Sequence, residues 1–206
     1  MRVIARDGVH EIEIQRSRFR CALARVSDDE QAAAFIAGVR REHWDATHNC
    51  SAFRVGPDGG SQRSSDDGEP GGTAGVPMLE VLLRRELTDV AAVVTRWFGG
   101  IKLGAGGLVR AYGRSVSEAV DALGTLRRVR HTEMLLAVEH AEAGRVQNAL
   151  LTASCRVVDV EYGADAVLTV QVPSDEVAPF RARLAELTAG TVEALITREV
   201  DVDVPG

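Results

Sequence analysis

Two glycine-rich loops, which flank a helix and a buried strand, constrain the fold of this chain most. Four of its 20 glycines lie within residues 64–76, and five lie within residues 99–107. Glycine concentrates where the backbone adopts left-handed dihedrals or approaches another group closely. Between the loops, residues 78–87 place leucines at helical spacing and residues 90–98 form a continuous apolar run, typical of a central strand covered on both faces. Residues 64–124 therefore predict loop, helix, buried strand, loop and helix.

The second loop contains the only lysine of the sequence. Among the 24 basic side chains, 23 are arginines, and Lys102 lies within FGGIKLGAGG. Lysine is a compact, flexible point charge, whereas arginine is a wide planar fork, so a tight glycine loop that receives one anionic oxygen favours lysine. The alternative interpretation is a solvated lysine on an ordinary turn.

The next helix is predicted to begin at Gly106 and Gly107, and the start of this helix predicts an anion site. Glycines there leave backbone N–H groups open, at the positive end of the helix dipole. The predicted anion-binding or nucleic-acid-binding residues are Arg96, Trp97, Lys102, Gly104, Ala105, Gly106, Gly107 and Arg110. Trp97 either stacks on a base or closes the core, and Phe98 is predicted to lie in the core. The alternative is that the glycines only permit close packing of the helix on a sheet.

The first loop is acidic and carries Asp66, Asp67 and Glu69. These carboxylates would suit Mg²⁺ beside a bound phosphate, since Mg²⁺ prefers a few carboxylates and phosphate oxygens. We favour a simpler role, in which they form ion pairs with Arg63, Lys102 or Arg96 and cap the following helix. No cofactor is therefore expected, and Mg²⁺ remains the one alternative.

His48, Asn49 and Cys50 are predicted to form a polar strand edge that fastens neighbouring loops. His43, His48 and Cys50 together would suggest a metal site. Only His48 and Cys50 share a strand face, however, so no metal is predicted. A Cys–His hydrolytic pair is also disfavoured, because alternate strand residues point in parallel. The three cysteines lie far apart without CxxC spacing, so neither a disulfide framework nor a thiolate zinc site is predicted.

The remaining segments predict an α+β protein. Residues 8–15 and 18–26 alternate as a strand pair, Ser27 would cap a helix that ends near Trp44, and residues 46–55 and 61–65 would form a hairpin. Beyond residue 130, strand 131–140, helix 143–153, a hairpin around Gly163, helix 173–190 capped by Ser174, and a closing strand follow. This β-α-β-β-α-β order is the ferredoxin-like arrangement.

The charge of −6 is unevenly distributed. Residues 1–130 carry 19 basic and 17 acidic side chains, whereas residues 131–206 carry 5 and 13. Residues 96–130 alone have a local charge of +5, which would attract phosphate. No apolar run approaches the ~20 residues that span a bilayer, and the first residues lack a signal-peptide core, so we expect a cytoplasmic protein without a membrane partner.

Four segments together resemble the IMPACT / YigZ family: RFRCALARV, EHWDATHNCSAFRVG, SSDDGEPGGTAGVPMLEVL and VVTRWFGGIKLGAGGLVRAY. The resemblance implies an N-terminal domain over residues 1–127 that is similar to the second domain of ribosomal protein S5. It also implies a ferredoxin-like domain over residues 128–206, similar to domains of elongation factor G. Trp97 stands where many relatives have tyrosine, and Gly71 where many have serine.

The family's eukaryotic members are regulators of translation that act through protein contacts and an additional domain. Together with the basic patch, this resemblance predicts a non-catalytic protein that binds RNA or ribosome-associated phosphate and is linked to translation. The acidic second domain would contact a protein or set orientation. Two alternatives remain, namely an enzyme for nucleotide phosphotransfer or hydrolysis, in which Asp66 or Asp67 would act, and a protein-interaction regulator.

Overall fold

The structure, a computed structural model, describes residues 1–151 and 155–205. The chain divides into two compact units. The first is Met1–Arg127 together with the last residues from Val204 onward, and the second is Arg128–Asp203. Each unit contains helices and strands, so the predicted α+β class with a two-domain organisation is confirmed.

The elements are numbered in chain order. The strands are β1 (Arg2–Ile4), β2 (Gly8–Ile14), β3 (Ser17–Arg25), β4 (His48–Val55), β5 (Ser61–Ser65), β6 (Val90–Trp97), β7 (Thr125–Val138), β8 (Arg156–Tyr162), β9 (Ala166–Pro173) and β10 (Ala194–Pro205). The helices are α1 (Asp29–Glu42), α2 (Gly75–Arg84), α3 (Gly104–Leu123), α4 (His140–Leu151) and α5 (Val177–Leu187).

The first unit is built around a five-stranded antiparallel sheet in the order β2-β3-β6-β4-β5. Residues 90–96 of β6 are buried, because α1 covers one face of the sheet while α2 and α3 cover the other. On the α2–α3 side, the core includes Phe19, Met78, Leu82 and Tyr112, each at most 1% exposed. The predicted central strand is therefore present, and both glycine loops lie at the ends of buried elements.

Helix starts differ from the sequence prediction by one to three residues. Asp28, rather than Ser27, caps α1, since its side chain accepts a hydrogen bond from the Gln31 amide at 2.7 Å. Helix α3 begins at Gly104, two residues before the predicted glycine pair. Helix α2 begins at Gly75, so Pro77 lies in its first turn, where a missing N–H costs nothing.

The second unit has the order β-α-β-β-α-β and a sheet ordered β10-β7-β9-β8, which is the ferredoxin-like topology. Ion pairs join β7 to β10 at Arg128–Asp203, Arg130–Asp201 and Glu133–Arg198, and their opposite progression shows that the strands are antiparallel. Helices α4 and α5 cover one face, where the core includes Met134, Leu136, Val146, Leu168, Phe180 and Leu184.

Two predicted boundaries in this region change. Strand β7 begins at Thr125, six residues before the predicted start, and residues 125–127 pair with β1. Helix α5 begins at Val177 after a 3₁₀ turn at Ser174–Glu176, and no side chain caps it. The predicted end of the helix over 143–153 falls partly on residues 152–154, which lie outside the described residues.

Within residues 1–151 and 155–205, no helix has both the length and the apolar character needed to cross a membrane.

Candidate functional site

A cleft of about 460 Å³ opens in the first unit where β4 begins, β6 ends and α3 starts. Eleven residues line it: Thr47, His48, Glu69, Pro70, Arg96, Phe98, Lys102, Leu103, Gly104, Ala105 and Leu108. The cleft thus brings residues of both glycine loops together with the ends of β4 and β6. Six of its lining residues are candidate site residues of the sequence analysis: His48, Glu69, Arg96, Lys102, Gly104 and Ala105.

The N-terminus of α3 forms one side of the cleft. Its N-cap residue is Leu103, no side chain caps the helix, and no acidic residue occurs in the first turn. The first N–H groups of a helix have no intrahelical acceptor, so the backbone over residues 104–107 presents donors at the positive end of α3. Gly104 and Ala105 line the cleft, while Gly106 and Gly107 complete the first turn outside its lining.

Lys102 supplies the free positive charge of the cleft. Its side chain is exposed at the cleft mouth, and it forms no ion pair or hydrogen bond with the residues that the structure describes. An ammonium beside an uncapped helix start is a favourable environment for an anion.

Arg96 also lines the cleft, but a carboxylate neutralises its charge. Its Nη1 lies 2.6 Å from Glu69 Oε1, and the two side chains are only 6% and 3% exposed. Tyr112 donates its hydroxyl to the same oxygen at 2.8 Å. A buried charge must be paired, so the guanidinium is committed to Glu69. The structure thus shows the ion pair with the acidic loop that the sequence analysis offered for Arg96, beside its role as an anion-binding residue.

Tyr112 remains a neutral donor in this network. Burial, and after it the neighbouring Cys50 and Glu69, raises the pKa of its hydroxyl. The phenol therefore keeps its proton and continues to donate to Glu69.

His48 has a fixed tautomer when neutral. Its Nδ1 lies 2.8 Å from the Asp67 carbonyl oxygen, which only accepts, so Nδ1 carries the proton. The other nitrogen, Nε2, is then a hydrogen-bond acceptor, and it lies 3.9 Å from Glu69 Oε2. Both atoms belong to residues that line the cleft.

The other two acidic residues of the first loop hold that loop together. Asp66 accepts hydrogen bonds from the amides of Gly72, Ala74 and Gly75 at 2.8, 3.0 and 2.8 Å, just before and at the start of α2. Partial burial raises the pKa of Asp66, but the three amides together outweigh burial and hold it below the ordinary value. The carboxylate is thus committed to α2.

Asp67 binds the start of β4. It accepts from the Asn49 amide at 2.6 Å and lies 3.3 Å from an Arg40 nitrogen. Arg63 pairs elsewhere, with Asp29 at 3.5 Å. Among the described residues, no group of three histidine, cysteine or acidic side chains has metal-binding geometry.

Residues 48–50 lie beyond the last pair between β4 and β5, which is Ser51 with Ser65, so the acidic loop contacts this end of β4. Asn49 accepts from Thr95 Oγ1 at 2.8 Å and donates to the His43 carbonyl at 3.1 Å. Cys50 donates to the Asp66 carbonyl at 2.9 Å, and burial raises the pKa of its thiol to about 12. Cys50 is therefore a neutral structural thiol.

Phe98 corrects a prediction. The sequence analysis placed it in the core, but its side chain is 46% exposed and lines the cleft. The reason is that β6 ends at Trp97, so Phe98 lies past the sheet.

Trp97 and Arg110, like Gly106 and Gly107, lie outside the cleft lining. Trp97 donates to Asp45 at 3.1 Å, and the guanidinium of Arg18 lies 3.9 Å from the centre of its ring. Arg110 lines a separate groove between α2 and α3. Neither residue contributes to the wall around Lys102.

The sequence analysis missed Tyr112 and the apolar wall of the cleft. That wall consists of Pro70, Phe98, Leu103 and Leu108. The available signal for Tyr112 was its position two turns after Gly104, on the apolar face of α3, where a buried hydroxyl needs a partner.

Two protein-family models match this chain. The model described as "Impact N-terminal domain" matches residues 15–120, and the model described as "Domain of unknown function (DUF1949)" matches residues 136–191. The chain belongs to the IMPACT family. The first match spans the cleft, and the second lies within the ferredoxin-like unit.

Bacterial members of the IMPACT family match most of the chain. The IMPACT family member YvyE of Bacillus subtilis (strain 168) is 46% identical over 183 residues, covering 89% of this chain and 84% of that protein. The IMPACT family member YigZ of Escherichia coli (strain K12) is 41% identical over 189 residues, covering 91% and 93%. A solved structure, "Crystal structure of an hypothetical protein", is 39% identical with a TM-score of 0.59, covering 96% and 97%.

Proposed function

We propose that this IMPACT family protein is a non-catalytic binding protein whose first domain binds a phosphate group of RNA in the cleft. The observation that carries the proposal is the unpaired ammonium of Lys102 beside the uncapped start of α3. A linked role in the regulation of translation, through RNA or the ribosome, follows from the family's eukaryotic members.

The local chemistry favours a phosphate over other small ligands. Backbone amides at a helix start together with one lysine form a recurrent phosphate-binding combination. Along the sequence, residues 96–130 carry a charge of +5. Arg96, Arg128 and Arg130 are paired with carboxylates from other segments, so the positive charge at the cleft is that of Lys102. Phosphate contacts supply most of the affinity of nucleic-acid binding, so a local positive surface is sufficient for it.

An enzymatic function has weaker support. The phosphotransfer alternative relied on Asp66 or Asp67 as a metal ligand or base. Both carboxylates already accept hydrogen bonds that hold the acidic loop. Releasing either one would leave buried or half-buried amides without an acceptor.

The second domain is proposed to contact a protein partner. Its excess of acidic over basic side chains suits a basic protein surface and opposes nucleic acid. In this proposal the first domain supplies RNA affinity and the second adds a protein contact.

The direct test measures binding of a short fluorescent single-stranded RNA by anisotropy over a range of salt concentrations. We expect Lys102→Ala to weaken binding about tenfold and to lower the log–log salt slope by about 0.7, the value for one lost single-strand phosphate contact. Arg41→Ala, an exposed cation on α1 outside the cleft lining, is the matched control and should change neither quantity. Unchanged affinity and slope in Lys102→Ala would contradict the proposal.

A further inference from the structure

We infer that the cleft selects ribose over deoxyribose, with Glu69 Oε2 and His48 Nε2 accepting hydrogen bonds from the sugar hydroxyls of a ribonucleotide. This inference rests on the proposed function and specifies the ligand of the same site. It concerns the floor of the cleft, whereas the phosphate proposal concerns its mouth.

The two oxygens of Glu69 differ in their hydrogen bonding. Oε1 accepts from both Arg96 and Tyr112, at 2.6 and 2.8 Å. Oε2 accepts no hydrogen bond from the residues that the structure describes, and it lies 3.9 Å from His48 Nε2. The side chain is 3% exposed. Oε2 is not one of the fully buried unpaired polar atoms of the described residues, so it stays accessible in the cleft and a donor on a ligand can reach it.

His48 presents a second acceptor beside the first. Its Nδ1–H is held by the Asp67 carbonyl, so the lone pair of Nε2 is available at the cleft. Two adjacent acceptors cannot satisfy each other, but a ligand with two adjacent hydroxyls satisfies both. The 2′- and 3′-hydroxyls of ribose form such a pair, and the 2′-hydroxyl is the group by which proteins distinguish RNA from DNA.

The rest of the cleft fits the other parts of a nucleotide. Lys102 and the start of α3 suit the phosphate, and the exposed ring of Phe98 offers a stacking surface for a base. The volume of about 460 Å³ lies within the usual range of about 300–1,000 Å³ for small-molecule sites. The ligand class is therefore a single ribonucleotide with both sugar hydroxyls, either free or at the 3′ end of a single strand.

The test is calorimetric titration of the full chain with adenosine monophosphate, 2′-deoxyadenosine monophosphate and inorganic phosphate. We expect the ribonucleotide to bind about tenfold more tightly than the deoxyribonucleotide, since the 2′-hydroxyl that donates to one of the two acceptors is missing. His48→Ala should reduce this preference to about threefold or less, while thermal melting establishes that the variant is folded. Lys102→Ala should weaken both nucleotides equally and preserve their ratio.

The possible results separate the two proposals. Equal affinity for both nucleotides, weakened in Lys102→Ala, overturns the ribose inference and leaves the phosphate site standing. Ligand binding that is insensitive to Lys102→Ala overturns both. RNA and DNA oligonucleotides of one sequence distinguish the two sources of the ligand, because a ribose preference confined to mononucleotides identifies a free nucleotide and still supports ribose selection.

Discussion

Arg96 and Glu69 are the residues on which the floor of the cleft depends. The guanidinium lies near two aromatic rings, with its centre 5.4 Å from the Phe19 centroid and 5.5 Å from the Phe98 centroid. The pair positions Glu69 Oε2 because it fixes Oε1. A buried pair of this kind gives little net stability, but removing one partner leaves a costly unpaired charge.

We therefore expect Arg96→Ala to destabilise the first domain by about 3–5 kcal/mol. Arg63→Ala, which removes a cation that is 75% exposed from a surface ion pair, should change stability by less than about 1 kcal/mol. Urea unfolding of both variants provides the measurement. If Arg96→Ala were as stable as the parent but bound RNA more weakly, Arg96 would be a ligand-binding cation instead.

Part of the Arg96–Glu69 arrangement could be predicted from the sequence. Arg96 ends an apolar run that was predicted to be covered on both faces, so its burial, and hence its need for a carboxylate, was within reach. The identity of that carboxylate was not, because Glu69 lies 27 positions away in a loop whose path depends on glycine dihedrals. The prediction included Arg96–Glu69 only as one of several possible pairs.

At the scale of elements, the acidic loop and α2 form one connected feature. Asp66 accepts three amide hydrogen bonds, and Asp67 joins the same loop to β4. This loop also carries Glu69 into the cleft. The loop is therefore expected to be sensitive to the charge of Asp66.

Removing that charge should destabilise the first domain in a pH-dependent way. The folded-state pKa of Asp66 is lowered, so its contribution is present above the unfolded value of about 3.9 and is lost as the pH falls through the folded value. We expect Asp66→Asn to cost about 1 kcal/mol near neutral pH and progressively less in acid. Urea midpoints across an acid series measure this difference.

Asp58→Asn, at an exposed turn, is the matched control and should show no comparable loss at any pH. If the urea midpoints of Asp66→Asn and the parent differed by a constant amount down to strongly acidic pH, the charge of Asp66 would not be what holds the loop.

Periodic elements were predicted well, whereas the loops were not. The β2–β3 hairpin, α1 and β6 follow from alternation and helical spacing, and their bounds lie within a few residues of the prediction. The start of α3 was misplaced because Gly104, with a φ of 70°, enters the helix from a left-handed conformation that no side-chain pattern reveals.

At the scale of the whole molecule, the two domains have separate cores and separate charge. Every residue that lines the cleft belongs to Met1–Arg127. The core of the second domain contains Phe180 and Leu184, at 2% and 3% exposure. Composition and element order predicted this division, because the acidic excess and the β-α-β-β-α-β order coincide.

A core change in the second domain should therefore leave the cleft intact. Leu184→Ala is expected to destabilise Arg128–Asp203 by about 2–5 kcal/mol through the cavity it creates. Phosphate affinity, measured by calorimetry below the unfolding transition, should remain within about twofold of the parent. A loss of phosphate affinity equal to that of Lys102→Ala would place part of the site outside the first domain.

The central claim is that the ammonium of Lys102 meets a phosphate. Since Lys102 is the only lysine, mild acetylation followed by mass spectrometry reports on this one side chain, with the N-terminal amine as an internal control. We predict that saturating single-stranded RNA slows acetylation of Lys102 at least about tenfold relative to the N-terminus, and that the protection disappears at high salt. Equal acetylation rates with and without RNA, under conditions where RNA is bound, would contradict the account.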